Sequence, residues 1–263
     1  MIGKTIGKLL ILLLFSVVFN ACEENSVAPL PDNLNAEIIT PTIINTFPHD
    51  PAAFTQGLLW HDGLFYESTG RYGQSSLREV EIESGRVLAL QPVSSEFFAE
   101  GLALKNDHLV QLTWRKKTAF SYNLTDFSLA DTFAYETEGW GLTSDETHFI
   151  MSDGSDQLYF RDDNFQLLQT IHVTLDGQPL DELNELEYAN GKIYANVWKT
   201  AMIVEIDPQY GRVTRVIDCS ELAAQENPQT SAAVLNGIAY NPQQQTFYLT
   251  GKLWNTMFEV RFE

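Results

Sequence analysis

The chain has 263 residues, of which 16 are Lys or Arg and 35 are Asp or Glu, so its formal net charge is −19. Its 44% hydrophobic and 12% aromatic residues are sufficient for a buried core and exclude disorder over most of the chain. The acidic balance argues against a nucleic-acid partner, because phosphate binding requires clustered Lys and Arg.

The first 21 residues have the features of a lipoprotein signal peptide. Lys4 and Lys8 form a basic start, and residues 9–19 are apolar except for one serine. This apolar run is shorter than the roughly 20 residues that a membrane-spanning helix needs. Cys22 follows at the position where lipoprotein signal peptidase cleaves, so we expect it to carry a lipid anchor. Ordinary secretion with an unmodified Cys22 is the alternative.

The polar stretch 22–36 contains Pro29 and Pro31 and is typical of a flexible tether. We therefore expect residues 37–263 to form one domain. Lipidated Cys22 is expected to hold it to a membrane of the bacterial cell envelope, and the protein is expected to be a monomer. Cys219 is the second of only two cysteines, which excludes a disulfide framework and a four-thiolate zinc site. It is interpreted as a buried apolar residue.

Five copies of one unit follow along the chain. The five units are Gln56–Gly70, Glu100–Trp114, Trp140–Gly154, Asn184–Trp198 and Asn236–Lys252. Their second positions fall at 57, 101, 141, 185 and 237, in steps of 44, 40, 44 and 52 residues. A period of this length is typical of propeller blades.

Each unit consists of an apolar strand, a polar turn and a second apolar strand. Asp62-Gly63 and Asn190-Gly191 are strong hairpin signals, because such pairs tolerate positive φ. Further alternating runs between the units bring the total to about four strands per repeat. The sequence therefore predicts an all-β, five-bladed β-propeller. Residues 220–225 are the one short helical stretch, and residues 38–47 are expected to join the last blade and close the ring.

Equivalent positions in the repeats predict two rings of side chains at one mouth of the central channel. The first position contributes Gln56, Glu100, Trp140, Asn184 and Asn236, and the fifteenth contributes Gly70, Trp114, Gly154, Trp198 and Lys252. Three indoles, three carboxamides, one acid and one cation are typical of a small-ligand pocket. The alternative is that the tryptophans pack between blades and the acid is solvated.

Glu100 is the candidate for acid–base chemistry within these rings. It follows Phe97-Phe98-Ala99, so we expect apolar neighbours to raise its pKa by desolvation. A nearby Lys252 would lower the pKa, and such opposed influences can poise a carboxyl group for proton transfer near neutrality.

Many ordered motifs in this chain resemble those of the plant- and bacterial-type glutamine cyclotransferases. The matching stretches include residues 47–51, 54–58, 66–70, 72–77, 111–114, 138–142, 151–154, 183–187, 195–198, 235–238 and 250–254. The resemblance implies a five-bladed propeller that converts the N-terminal glutamine of peptides or proteins to pyroglutamate and releases ammonia, an acyltransferase reaction. It implies Glu100 as the essential acid. The pocket residues that it implies are Phe54, Gln56, Phe98, Trp114, Trp140, Asn184, Trp198 and Lys252.

No metal or other cofactor is expected. The five histidines lack the spacing of a zinc site. The clustered acids at 153–156 and 162–163 lack the regular ligand spacing of a calcium loop, so they are interpreted as solvated turn residues. A non-catalytic propeller that binds peptide termini or sugars in the same aromatic pocket is the main alternative function. A propeller lactonase or phosphotriesterase would need several carboxylates converging on a metal, and the first ring has one.

Overall fold

The computed structural model describes residues 34–145 and 147–263, which form five twisted antiparallel sheets around a common axis. The prediction of an all-β, five-bladed propeller is confirmed. Cys22, the proposed signal peptide and most of the proposed tether lie outside the described residues. Within the ranges that the structure describes, no helix is long and apolar enough to span a bilayer.

The strands are numbered in chain order. Two strands precede the first repeat: β1 (Glu37–Ile39) and β2 (Thr42–Pro48). Blade one contains β3 (Thr55–His61), β4 (Leu64–Thr69), β5 (Ser76–Glu81) and β6 (Val87–Pro92). Blade two contains β7 (Ala99–Lys105), β8 (His108–Thr113), β9 (Thr118–Asn123) and β10 (Leu129–Ala134). Blade three contains β11 (Leu142–Ser144), β12 (Phe149–Ser152), β13 (Gln157–Arg161) and β14 (Leu167–His172).

A small hairpin of β15 (Thr174–Leu175) and β16 (Gln178–Pro179) precedes blade four. Blade four contains β17 (Leu183–Ala189), β18 (Lys192–Val197), β19 (Met202–Ile206) and β20 (Val213–Asp218). The helix α1 (Ser220–Glu226) then follows, as expected, with the fully buried Cys219 directly before it. Blade five contains β21 (Leu235–Asn241), β22 (Thr246–Gly251) and β23 (Thr256–Arg261).

The first strand of each repeat lies innermost and contacts the innermost strands of both neighbouring blades. These strands are β3, β7, β11, β17 and β21, and their contacts form a closed circle. The turns Asp62-Gly63 and Asn190-Gly191 have positive φ at all four residues, as the hairpin signals predicted. Large apolar side chains fill the spaces between the faces of adjacent blades.

Ring closure differs in part from the expectation that residues 38–47 would join the last blade. Strand β2 pairs with β23 and completes blade five, but β1 pairs in parallel with β20 at the outer edge of blade four. Pro41 separates the two strands, because proline lacks the N–H that a continuous ladder requires. Ile39 packs into the core between blades four and five, which holds β1 on the earlier blade.

A buried histidine ties the closing strand to the first blade. His49 follows β2, and its ring nitrogens lie 2.8 Å from the Trp254 carbonyl oxygen and 3.1 Å from Glu67 Oε1. Thr55 also donates a hydrogen bond to that carboxylate oxygen, at 2.7 Å. Burial alone would lower the pKa of His49, but the charge of Glu67 and the hydrogen bonds raise it. The imidazolium form therefore stabilises the closure of the ring.

Candidate active site

Irregularities at the start of the innermost strands aim the first-ring side chains at the axis. In four blades the strand register shifts at this place, between Thr55/Gly57, Ala99/Leu102, Leu183/Leu186 and Leu235/Ile238. The unpaired residues include those of the first ring, and such bulges re-aim side chains next to functional sites. In blade three, Trp140 precedes β11 altogether.

The second position of the repeat closes the channel beneath this ring. It is glycine in four blades, where the innermost strands approach so closely that a Cβ at Gly141 would overlap the Asn184 carbonyl oxygen. The fourth blade has Glu185 instead. Its carboxylate accepts hydrogen bonds from the backbone N–H of Leu58 at 3.2 Å and of Ile238 at 2.8 Å. One buried side chain therefore joins blades one, four and five at the axis.

Above this level lies a cavity of about 280 Å³. All nine residues implied by the resemblance line it: Phe54, Gln56, Phe98, Glu100, Trp114, Trp140, Asn184, Trp198 and Lys252. Ser231 and Ala232 complete the lining. Asn236, the remaining first-ring residue with a polar side chain, instead donates to the Thr55 carbonyl oxygen at 2.9 Å and packs against Gln56.

The two glycines of the second ring make room for aromatic walls. A Cβ at Gly70 would overlap the Phe98 ring, and one at Gly154 would lie 2.6 Å from Trp140 Cζ2. The indoles of Trp140 and Trp198 meet edge to face with centroids 5.3 Å apart. Around the second ring, tryptophans of the cavity wall therefore alternate with glycines that leave room for neighbouring aromatic rings.

Glu100 and Lys252 are the two buried charged groups of the cavity, and each is only 4% exposed. Burial raises the pKa of Glu100 well above its usual value, while the charge of Lys252 and a hydrogen bond from Gln56 partly oppose this effect. Burial lowers the pKa of Lys252 to about 8, against the opposing attraction of Glu100. Both shifts favour uncharged forms, so this carboxyl group holds a proton at a pH where an exposed glutamate would not.

A carboxylate at the mouth holds two of the indole walls. Glu138 Oε2 accepts hydrogen bonds from Trp114 Nε1 at 2.6 Å and from Trp140 Nε1 at 3.1 Å. Its other oxygen lies 3.2 Å from Arg115 Nε. The negative charge of Glu138 also adds to the upward shift of the Glu100 pKa.

Asn184 supplies an unused hydrogen-bond acceptor. Its side chain is 2% exposed, and its Oδ1 has no hydrogen-bond partner among the described residues. Buried carboxamide groups are nearly always satisfied, so an orphaned oxygen in a cavity wall is available to a ligand N–H.

The described residues contain no group of three or more His, Cys, Asp or Glu side chains placed to hold a metal ion. The acids at 153–156 make local hydrogen bonds instead: Asp153 accepts from Ser155 at 2.6 Å and from Tyr159 at 2.8 Å, and Asp156 pairs with His172 at 2.9 Å.

Residues 12–262 match the family model described as glutamine cyclotransferase. The chain belongs to this family. A glutaminyl-peptide cyclotransferase of Arabidopsis thaliana is 36% identical over 256 residues, which cover 95% of this chain and 79% of that protein. The crystal structure of Myxococcus xanthus glutaminyl cyclase superposes with a TM-score of 0.82 at 41% identity, covering 87% of this chain and 98% of that one. The resemblance inferred from the sequence is confirmed.

Four residues at the site of this glutamine cyclotransferase were not predicted from the sequence. Ser231 and Ala232 lie in the connection between α1 and β21, which has no counterpart in the other repeats. Glu185 is the exception at a position that is otherwise glycine. Glu138 stands two residues before the first ring, where the other repeats have two phenylalanines, Glu182 and a valine. Both glutamates could have been found by comparing the five repeats at these two positions, which lie next to the first ring or close to it.

Proposed function

We propose that this chain is a metal-independent glutaminyl-peptide cyclotransferase, which converts the N-terminal glutamine of peptides and proteins to pyroglutamate with release of ammonia. The observation that carries the proposal is the placement of Glu100. This buried carboxyl group lies beside Gln56 and Lys252 in a cavity walled by three indoles. The Arabidopsis and Myxococcus relatives have the corresponding names, which supports the same reaction class.

The reaction is an intramolecular aminolysis. The α-amine of glutamine attacks Cδ of its own side-chain carboxamide, forming the ring N–Cδ bond, and the bond from Cδ to the amide nitrogen then breaks. Glu100 takes a proton from the attacking nitrogen and delivers one to the departing nitrogen, which leaves as ammonia. A single carboxyl group suffices, because both nitrogens are bonded to the same tetrahedral carbon. Burial raises the pKa of this carboxyl group, which favours the protonated form that delivers a proton to the departing nitrogen.

The remaining cavity residues bind and orient the substrate. Lys252 and Gln56 are placed to stabilise the oxyanion that develops on the carboxamide oxygen, and the unpaired Asn184 Oδ1 accepts a substrate N–H. The three tryptophans exclude water and hold the side chain folded for attack. A cavity of about 280 Å³ has room for one residue at a chain terminus, so we expect an internal glutamine not to react.

Ammonia release from a glutamine-initiated dipeptide, with chelator present and no added metal, tests the proposal. The purified chain is compared with Glu100→Gln and with the control Glu96→Gln, which makes the same change at an exposed carboxylate that pairs with Lys116 outside the cavity. We expect turnover in the wild type and control and a loss of at least about 100-fold in Glu100→Gln. Full activity in Glu100→Gln would assign the proton transfer elsewhere. Peptide binding without turnover in the wild type would support the non-catalytic alternative.

We also propose that the chain is exported and anchored in the bacterial envelope through lipidated Cys22. The basic start, the short apolar run and the position of Cys22 support this. Fatty-acid labelling and membrane fractionation of the wild type and Cys22→Ser test it. Label and membrane association lost in the variant are expected, and an unlabelled wild type would contradict the anchor.

A further inference from the structure

Three cations stand around the mouth of the cavity at equivalent positions. The residue that follows the second ring is Arg71, Arg115, Ser155, Lys199 and Leu253 in blades one to five. We call Arg71, Arg115 and Lys199 the cation collar.

Each member of the collar stacks on an aromatic wall of the cavity. Arg71 Cζ lies 4.7 Å from the centroid of Phe54, and Arg115 Cζ lies 3.8 Å from that of Trp114. Lys199 Nζ lies 4.1 Å from the centroid of Trp198. Stacking of this kind holds a cation in place and leaves its N–H groups free to donate elsewhere. The collar cations therefore pack directly on aromatic side chains that line the cavity.

The collar remains accessible and keeps hydrogen-bonding capacity. The Arg115 side chain is 63% exposed and pairs with Glu138, whereas Arg71 and Lys199 have no carboxylate within 4.0 Å among the described residues. Arg71 and Lys199 also have positive φ, 92° and 61°, a conformation uncommon outside glycine.

The charge around the mouth contrasts with the rest of the chain. Overall the chain carries a formal charge of −19, but the position directly after the second ring has three cations in the five blades, and the position two residues before the first ring has two carboxylates, Glu138 and Glu182. Glu138 is further occupied by its two indole hydrogen bonds. An acidic peptide is thus repelled by most of the surface and attracted at the mouth.

We propose that the cation collar selects peptides with Asp or Glu in the residues directly after the N-terminal glutamine. This inference rests on the proposed function. With the glutamine side chain and α-amine in the cavity, the peptide leaves through the mouth at no more than about 3.6 Å per residue, so its second and third residues pass the collar. Guanidinium and ammonium groups donate charge-assisted hydrogen bonds to carboxylates there.

Competing peptides test the selection. Values of kcat/KM are measured for Gln-Glu-Glu-Ala, Gln-Gln-Gln-Ala and Gln-Lys-Lys-Ala, at low and high ionic strength, with the full-length chain. Exposed ion pairs contribute modestly, so we expect about a tenfold preference for the Glu peptide over the Lys peptide, which high salt reduces. The triple variant Arg71→Gln/Arg115→Gln/Lys199→Gln should bring the ratio close to one. The control Arg86→Gln, which removes an exposed cation paired with Glu81 on blade one, should keep it.

The neutral peptide serves as the internal reference for folding and chemistry. If the triple variant does not turn over this peptide, the single variant Lys199→Gln takes its place and should lower the ratio part of the way. A wild-type ratio near one with full turnover of the neutral peptide would overturn the collar and leave the cyclotransferase standing. A preference that survives the collar substitutions would do the same. No turnover of any peptide by the wild type would overturn both proposals.

Discussion

Replacement of Glu138 by glutamine tests whether a residue outside the cavity lining sets the geometry of the site. A hydrogen bond to a carboxylate contributes about 1.5–3 kcal/mol and one to a neutral group about 1 kcal/mol. The substitution therefore weakens the Trp114 and Trp140 contacts by roughly 2 kcal/mol together. The Glu138 side chain is 38% exposed, so solvent screening reduces this to about 1 kcal/mol, or about fivefold in kcat/KM.

The assay is a full pH profile of kcat/KM for Glu138→Gln, the wild type and the control Glu96→Gln. Because the charge of Glu138 raises the pKa of Glu100, the variant should also move the acid-side limb to lower pH. Glu96 contacts neither indole, so its variant should retain the wild-type rate and profile. If Glu138→Gln changes neither kcat/KM nor the acid-side limb of its pH profile, the positioning role is refuted. A lower kcat/KM with an unchanged acid-side limb would show that Glu138 positions the indoles and does not affect the pKa of Glu100.

Three further predictions concern pH and stability. The Lys252 pKa of about 8 predicts that kcat/KM of the wild type declines above about pH 8, and that Lys252→Met loses most activity together with this limb; a wild-type profile flat to pH 10 would contradict the oxyanion role. Glu185→Gln turns an amide N–H₂ toward one of two backbone donors, which should cost about 2–4 kcal/mol and lower Tm by about 4–16 °C in calorimetry; an unchanged Tm would exclude the axial role. Burial raises the pKa of Glu187 to about 8, and the charge of Glu67 helps to raise that of His49, so these two groups bind protons more tightly in the folded chain than in the unfolded one; Lys252 has the opposite effect, but only above about pH 8. This stabilisation is complete below the unfolded pKa values and is lost as pH rises through the folded ones, so Tm should be higher near pH 6 than near pH 9, with a smaller difference in Glu187→Gln.

The repeat register predicted most of the site because propeller symmetry converts a position in sequence into a position around the axis. Of the eleven residues that line the cavity, seven follow from two register positions of the repeat, and the resemblance added Phe54 and Phe98. The repeat register did not predict the direction in which these side chains point. The bulges that turn Gln56 and Glu100 toward the axis arise from backbone pairing between strands, and alternation along a single strand does not reveal them.

Elements without a repeat counterpart were harder to place. Nothing in the short apolar run of β1 distinguishes the outer edge of blade four from that of blade five, since both offer an open ladder. The approach of Ser231 and Ala232 to the cavity depends on the path of the connection after α1, which no periodicity describes. Glu185 was visible as a departure from glycine, but its role depends on backbone donors of two blades distant in sequence.

The register of β2 has a geometric consequence for how the enzyme meets its substrates. Thr42 pairs with Arg261 and Pro48 with Thr256, so β2 runs from the far side of the disc toward the side where Lys252 and the mouth lie. The polypeptide thus enters the disc on the side opposite the cavity. Incoming chain ends therefore reach the opening from the face opposite the start of β2, so the two faces of the disc are available for different contacts.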